Sequence, residues 1–361
     1  MRLAEHSLHS YALPYARPVV WSDIVEEVAP FVLLRLTADS GETGVAEITV
    51  KPTWNGVTAR SLIETIAQVF IPLLMTLDLS DPHAVRRALD RIPENMAAKC
   101  LIDKACWDLN AARSAMPLRR TWGGSRRVAL SWAVTRQAPQ IMADEAAEMC
   151  GRYGFRALKV KGGQGVKTDV EGIRAIRRSV GDEVVLSVDC NGAYRPDQVA
   201  EYARAVSDAG ASVIEDPCPL VPDADFAILR AKAPIPVLVD FACWSLRDAK
   251  LFLAQGAQGI SVKPGRFGLS DCWLMHDAAS ENGCGIVAGL MGESALGTMA
   301  ALQFASALHE PMLPAELTWY LAMTEQVTQR MPAILDGGID LPDTSSIAAL
   351  VDWDAVKRFA L

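Results

Sequence analysis

The chain has 361 residues, 50% of them hydrophobic and 22% charged, which is enough to bury a sizeable core and to build more than one domain. Its formal charge of −8 argues against nucleic acid or an anionic membrane surface as the main partner. No apolar stretch is long enough to span a bilayer, and the first residues, MRLAEHSLHS, lack the basic-then-apolar order of a signal peptide.

From Met1 to about Ser125 strands precede helices. FVLLRLTADSGETGVAEITV reads as two strands around a turn at Asp39–Gly41, because apolar β-branched runs flank Asp-Ser-Gly. SLIETIAQVFIPLL and KCLIDKACWDLNAARS then carry apolar residues at helical spacing, as at Leu101, Ala105, Leu109 and Ala112. Trp122-Gly123-Gly124 breaks the pattern and closes an α+β zone, 1–125.

Over 126–320 strand-like and helix-like segments alternate. Strands are expected near 128–134, 157–161, 184–189, 212–216, 237–240, 259–263, 285–290 and 312–317. Thr168-x-x-Glu171 and Ser245-x-x-Asp248 have the form of capping boxes. The helix opened by Thr168 lays Val170, Ile173, Ile176 and Val180 along one face. IED, VLVD and GISV are apolar on both faces, as parallel strands covered by helices must be. The alternation predicts an α/β fold, and eight strands favour a closed, TIM-like (β/α) barrel. VALSWAVTRQAPQ carries no GxGxxG, which counts against a nucleotide-binding sheet. The tail, 321–361, holds a turn in PAILDGGIDLP and a short amphipathic helix in VDWDAVKRFA, and is expected to pack back on the first zone. Eight cysteines are scattered singly with no CxxC pair, a pattern of reduced, buried thiols and hence of a cytoplasmic compartment.

Charges end the central apolar runs. Lys161, Asp189, Glu215, Asp240 and Lys263 follow one another at intervals of 28, 26, 25 and 23 residues, the length of a strand, a helix and two loops. In a barrel of such units every strand's carboxyl end points at one mouth, so these groups converge. Asp189, Glu215 and Asp240 would repel one another there unless they held a hard cation, and Mg²⁺ takes few carboxylates while keeping places for water or substrate oxygens. Helix caps or surface ion pairs are the plain alternative for any one of the three. Lys159 and Lys161 alternate along one strand and share its inward face. Lys263 reaches the same space from the opposite side. A lysine beside a metal and another cation is pushed toward proton exchange near neutrality, so Lys161 and Lys263 are read as proton movers and Lys159 as a holder of charge. Asn191 suits a bond to a metal ligand or substrate, or a turn with Gly192. Glu293 suits a bond to a lysine or substrate, or the N-terminus of a helix. No pair of the five histidines has metal-ligand spacing.

The order Lys159-x-Lys161, Asp189-x-Asn191, Glu215-Asp216-Pro217, Asp240 and Val262-Lys263-Pro264-Gly265 resembles the enolase superfamily, and within it the muconate lactonizing enzyme subgroup. The likeness extends to the G-x-x-G-x-x-E stretch at 41–47, to 100–124, to ESALGT at 293–298 and to PAEL at 314–317. It implies a modified TIM barrel with an N-terminal capping domain. It implies Asp189, Glu215 and Asp240 as ligands of Mg²⁺ or Mn²⁺, and Lys161 and Lys263 as acid/base groups on opposite faces of the substrate, assisted by Lys159. A lysine base working beside a divalent metal is a known property of that superfamily, so the resemblance carries it and the spacing alone does not. The resemblance also implies lid loops near 14–22 and 51–57, with Arg17, Trp21, Lys51, Trp54 and Asn55 as lid residues. Two positions depart from the pattern: Phe241 stands where a Glu follows the third ligand, and Val19 replaces a lid-loop histidine. His276 lies in a helix pattern, away from the racemase arrangement. ELTWYLAM has no Asp-x-Asp of the kind that dipeptide epimerases use for an ammonium.

The expected substrate is a small carboxylate, with no nucleic acid or membrane partner, and the chain is expected to form a homo-oligomer. A proton moves at the carbon next to the carboxylate through an enolate, which the metal and Lys159 stabilise. PAEL, ESALGT and the ARP of the first lid loop are most similar to the cycloisomerases. A racemase, epimerase or dehydratase of another small carboxylate is the alternative.

Overall fold

The computed structural model describes residues 1–21 and 24–361, with the side chains of residues 20, 21 and 24 outside that description. Three antiparallel strands open the chain, β1 (Leu3–Trp21), β2 (Ile24–Ala38) and β3 (Thr43–Thr49), in the order β1-β2-β3. The turn between β2 and β3 sits where Asp-Ser-Gly predicts it, and Gly41 takes φ 98°, which a side chain would strain. The long helix Met96–Ser114 packs on this sheet. The approach is close at Gly44, where an added Cβ would stand 2.4 Å from Ala105 O. The helix expected over 61–74 is broken into Ala59–Thr65, a π turn at Ile66–Phe70 and Ile71–Leu74. Pro72 has no N–H for the regular ladder, and the wider turn lies just ahead of it.

The second body is a curled parallel sheet of seven strands in sequence order: β5 (Trp132–Val134), β6 (Ala157–Lys161), β7 (Val185–Asp189), β8 (Val213–Glu215), β9 (Val237–Val239), β10 (Gly259–Val262) and β11 (Gly285–Ala288). Helices such as Pro139–Tyr153, Val166–Val180 and Pro264–Glu281 lie between them. The apolar faces of strands and helices merge in one core, in which Ile173, Ile176, Leu186, Ile214, Val239 and Ile260 are fully buried.

Three expectations are corrected. The first strand, 128–134, is two: β4 (Arg127–Ala129) pairs with the tail, and only β5 joins the parallel sheet. The eighth strand, 312–317, is not a strand, because Pro311 and Pro314 cannot donate to a ladder. It still links β11 to the chain that leads from β4 into β5. Met312 N and Glu316 N donate to Ile286 O and Ala288 O of β11, while Ala315 N donates to Ala129 O and Ser131 N to Ala315 O. Thr168 opens no helix: the helix starts at Val166 after Gly165, and Asp169 turns back to accept the N–H groups of Gly163 (2.7 Å) and Gln164 (3.0 Å). At Ser245 the side chain does cap its helix, accepting from Asp248 N at 3.1 Å.

The tail forms β12 (Ile334–Leu335) and β13 (Gly338–Asp340), the latter paired with β4, and a helix Trp353–Arg358. Its end touches the first sheet, with Ala12 N donating to Phe359 O and Leu361 N to Ser10 O. Buried acids of the Met96–Ser114 helix stitch the bodies together. Asp103 accepts from Leu269 N (2.6 Å), Ser270 N (2.9 Å) and Ser270 Oγ (2.5 Å), and Asp108 accepts from Val45 N, Ile347 N, Ala348 N and Ser346 Oγ. All eight cysteines are unpaired, and no helix among the described residues is long and apolar enough to cross a membrane.

Candidate active site

Parallel register sets Lys161 beside Asp189 and Asp189 beside Glu215. Neighbours in register point to the same face, so three charged groups stand abreast inside the curl. Asp240 and Lys263 directly follow β9 and β10 at the same mouth. Glu316 enters from the segment that links β11 to the chain leading from β4 into β5.

These groups form one ion-pair network. Lys159 Nζ lies 2.7 Å from Glu215 Oε2, 2.7 Å from Glu316 Oε1 and 3.8 Å from Asp189 Oδ2. Lys161 Nζ is 2.5 Å from Asp189 Oδ2, and Lys263 Nζ is 2.5 Å from Asp240 Oδ2. Arg266 Nη1 is 3.1 Å from Asp240 Oδ1. Burial would push Lys159 toward neutrality, but Glu215, Glu316 and Asp189 outweigh it and hold the ammonium well above the ordinary lysine range. Lys159 is therefore a fixed charge. Burial also opposes ionisation of Asp189 and Asp240. Their cations prevail, Lys161 with Lys159 for the first and Lys263 with Arg266 for the second, and both carboxyls fall below the usual range. Glu215 is raised well above it, by burial and then by the acids around it.

The donor set fits a hard divalent cation. Glu215 Oε2 and Asp240 Oδ1 are buried oxygens that meet only the cations of their ion pairs, Lys159 and Arg266, and no directed hydrogen bond, and carboxylate oxygens are the ligands such ions take. Glu215, Asp216 and Asp240 offer three oxygens within 4.8 Å of one another. This close trio differs from the expected Asp189, Glu215 and Asp240 in having Asp216 where Asp189 was expected. Asp216 is tied to the backbone, accepting from Asp240 N (3.1 Å) and Phe241 N (2.6 Å). Burial, then Asp240 and Asp189, push its carboxyl up to about 7.

A cavity of about 270 Å³ opens beside the network. Lys159, Lys161, Lys263, Arg266, Asp240 and Glu316 supply its charge, and Trp54, Phe241, Leu290, Met291 and Trp319 its apolar wall. Asn191 lines it and donates from Nδ2 to Asp189 Oδ2 at 3.2 Å, while its φ of 50° also shapes the turn. Glu293 is buried and accepts from Met291 N at 2.7 Å; among the described residues it makes no ion pair with a lysine, and its Oε1 has no hydrogen bond.

The lid residues divide. Trp54 reaches the cavity, with Lys51 Nζ 4.7 Å from its ring centroid. Lys51 is buried against Glu26, and burial outweighs that acid to lower its pKa. Asn55 turns inward to its own loop, donating to Thr49 O and accepting from Lys51 N. Arg17 lies in a neighbouring cleft, where it pairs with Glu145 at 2.8 Å. The side chain of Trp21 is outside the described residues. Sequence reasoning assigned no role to Glu316, Arg266 or Asp216. PAEL, the Glu-Asp-Pro run and the Val-Lys-Pro-Gly run just ahead of Arg266 are visible in the sequence, but nothing in them distinguishes these side chains from caps or surface charges.

Charged groups from successive strand ends, gathered over one cavity beneath a separate cap sheet, define an enzyme. The family models "Mandelate racemase / muconate lactonizing enzyme, N-terminal domain" and "Enolase C-terminal domain-like" match residues 7–123 and 141–355. A chloromuconate cycloisomerase of Cupriavidus necator is 28% identical over 360 residues, 96% of each chain. The L-Ala-D/L-Glu epimerase of Bacillus subtilis is 27% identical over 313 residues, 85% of each. The solved muconate lactonizing enzyme of Mycobacterium smegmatis with muconolactone superposes with a TM-score of 0.94 at 25% identity, over 100% of both chains. The chain belongs to the enolase superfamily, in its muconate lactonizing enzyme subgroup. It is an isomerase of that superfamily, whose enzymes bind a divalent metal, usually Mg²⁺.

Proposed function

We propose that this enzyme is a muconate-cycloisomerase-like lactonizing enzyme. The observation that carries the reading is the charge of the cavity wall: four cations, Lys159, Lys161, Lys263 and Arg266, face two acids, Asp240 and Glu316. Both acids are already ion-paired. Such a wall welcomes carboxylates and, among the described residues, offers no unpaired acid for a substrate ammonium, which a dipeptide epimerase must hold.

Asp189, Glu215 and Asp240 would hold Mg²⁺ or Mn²⁺, with Asp216 keeping Asp240 in place through its backbone. The bound cation would withdraw charge from the substrate carboxylate next to the reacting carbon. Lys159, fixed as an ammonium by three acids, adds positive charge there at no reorganisation cost. In lactone formation a second carboxylate oxygen of the substrate bonds to the far carbon of a conjugated double bond. The displaced electron pair becomes the enolate of the first carboxylate, and Lys161 or Lys263 gives its proton to the adjacent carbon. Lactone opening runs the same proton back to the lysine as the carbon–oxygen bond breaks. Trp54, Trp319 and Leu290 keep water from this step.

Further parts of the proposal are an N-terminal cap over 1–125, a catalytic body over 126–320 and a tail, 321–361, that packs back on the cap. The tail's bonds to Ser10, Ala12 and Asp108 support the last. Unpaired cysteines support a cytoplasmic location.

The test is incubation of the Mg²⁺-loaded enzyme in deuterated water with muconate, chloromuconate and L-Ala-L-Glu. Lactone with one carbon-bound deuterium is the expected product. Inversion of the dipeptide with no lactone would replace this reading by epimerisation.

A further inference from the structure

The side chain of Arg266 is 6% exposed, yet it lines the catalytic cavity. Its position follows from the chain: it is three residues beyond Lys263, in the first turn of the helix Pro264–Glu281. Among the described residues, its hydrogen bonds and ion pair all run through one nitrogen. Nη1 donates to Asp240 O (2.9 Å) and Cys243 O (3.1 Å) and pairs with Asp240 Oδ1. Nε is buried without a hydrogen bond, and Nη2 makes none among the described residues. The guanidinium face stacks on Trp244, 4.5 Å from its centroid.

A guanidinium presents donors along edges that match the two oxygens of a carboxylate. In Arg266 one nitrogen holds the Asp240–Cys243 loop, and the Nε/Nη2 edge is left unpartnered. A buried donor without a partner is costly, so a site that keeps one is primed for an acceptor from outside the chain. Among the described residues no side chain competes for it. The residue that follows Asp240 is Phe241, which is 52% exposed, lines the cavity and packs edge-on against Trp244. An acid at that position would stand beside Trp244, the ring on which the arginine stacks.

We infer that the Nε/Nη2 edge of Arg266 binds the substrate carboxylate remote from the reacting carbon, and so makes the site selective for dicarboxylates. The inference rests on the carboxylate reading given above and adds the residue that recognises the second anionic end. Trp244 and the two loop carbonyls fix the plane of the fork, so little side-chain freedom is lost on binding.

The experiment is calorimetric titration of the Mg²⁺-loaded enzyme with adipate and with its monoamide, for the wild type, Arg266→Gln and Phe241→Glu. The wild type is expected to bind adipate at least tenfold more tightly than the monoamide. Arg266→Gln is expected to erase that ratio, with adipate affinity falling at least tenfold more than monoamide affinity. Phe241→Glu, which leaves the arginine and its loop contacts in place, is expected to lower the ratio as well, so a folding defect in Arg266→Gln does not decide the matter. Equal affinities in the wild type, or an unchanged ratio in both variants, would overturn the inference. An equal loss for both ligands in Arg266→Gln would overturn it too, because the arginine would then serve the reacting carboxylate. Selective binding without lactone formation would instead remove the cycloisomerase reading and leave the arginine's role standing.

Discussion

Lys263 Nζ lies 2.5 Å from Asp240 Oδ2, so a proposed proton mover is bonded to a proposed metal ligand on the neighbouring strand. Lys161 and Asp189 repeat the relationship across the mouth, again at 2.5 Å. Each lysine thus occupies an oxygen that a cation would claim. On the proposed ligand set, loading the site turns both ammonium groups toward the cavity lined by Lys161 and Lys263.

On the proposed mechanism, replacing either lysine removes a proton carrier. Lys161→Ala and Lys263→Ala should each lower kcat by about 10² to 10⁴, the range that positioned acid/base groups supply. Circular dichroism should show the fold intact. Full activity in either variant would take that residue out of the mechanism.

Metal dependence should be complete and reversible. Chelation should abolish turnover, and Mg²⁺ should restore it. Asp240→Asn weakens the ligand set and also leaves Lys263 and Arg266 facing a neutral amide, so Mg²⁺ binding followed by calorimetry should fall by at least tenfold. Unchanged affinity would exclude Asp240 from the ligands.

Folding stability should carry a signature of Asp108. Burial raises its carboxyl to about 6 from a usual value near 3.8, against the four hydrogen bonds that favour the charged form. The folded state therefore holds a proton that the unfolded chain releases. The stabilisation this gives is full below pH ~3.8 and is lost as pH rises to about 6, with a size of roughly 3 kcal/mol. Urea unfolding at pH 4.5 and 6.5 should show a smaller loss with rising pH in Asp108→Asn than in the wild type. Equal slopes would refute the assignment.

Asp103 joins the two bodies of the protein. Asp103→Ala leaves the N–H groups of Leu269 and Ser270 buried without their acceptor, at a cost of about 1–3 kcal/mol for each stranded donor. A fall of about 2–6 kcal/mol in the unfolding free energy from urea titration is expected. Its absence would mean that water takes the place of the carboxylate.

Much of this arrangement was legible because strand ends impose register. Lys161, Asp189, Glu215, Asp240 and Lys263 fall at strand ends by spacing alone, and the structure has each of them at one mouth. What stayed hidden belongs to segments with no period. Glu316 sits just past Pro314, on a stretch whose bonds depend on chain segments far apart in sequence. Arg266 projects from a helix start, where position along the chain does not show which way a side chain turns. Asp216 follows Glu215 directly and resembles a cap until its contacts with Asp240 N and Phe241 N are seen. Thr168 misled for a related reason: Asp169, the next residue, holds the loop before the helix, and the helix begins two residues earlier.

The stretch from Met312 to Glu316 shields as well as connects. Without its few backbone bonds to Ile286, Ala288, Ala129 and Ser131, the outermost strands of the seven would present bare amides and carbonyls to any passing polypeptide. Pro314 within this stretch and Pro311 just ahead of it have no N–H to offer a growing fibril, so the segment that covers the sheet is itself a poor template for aggregation.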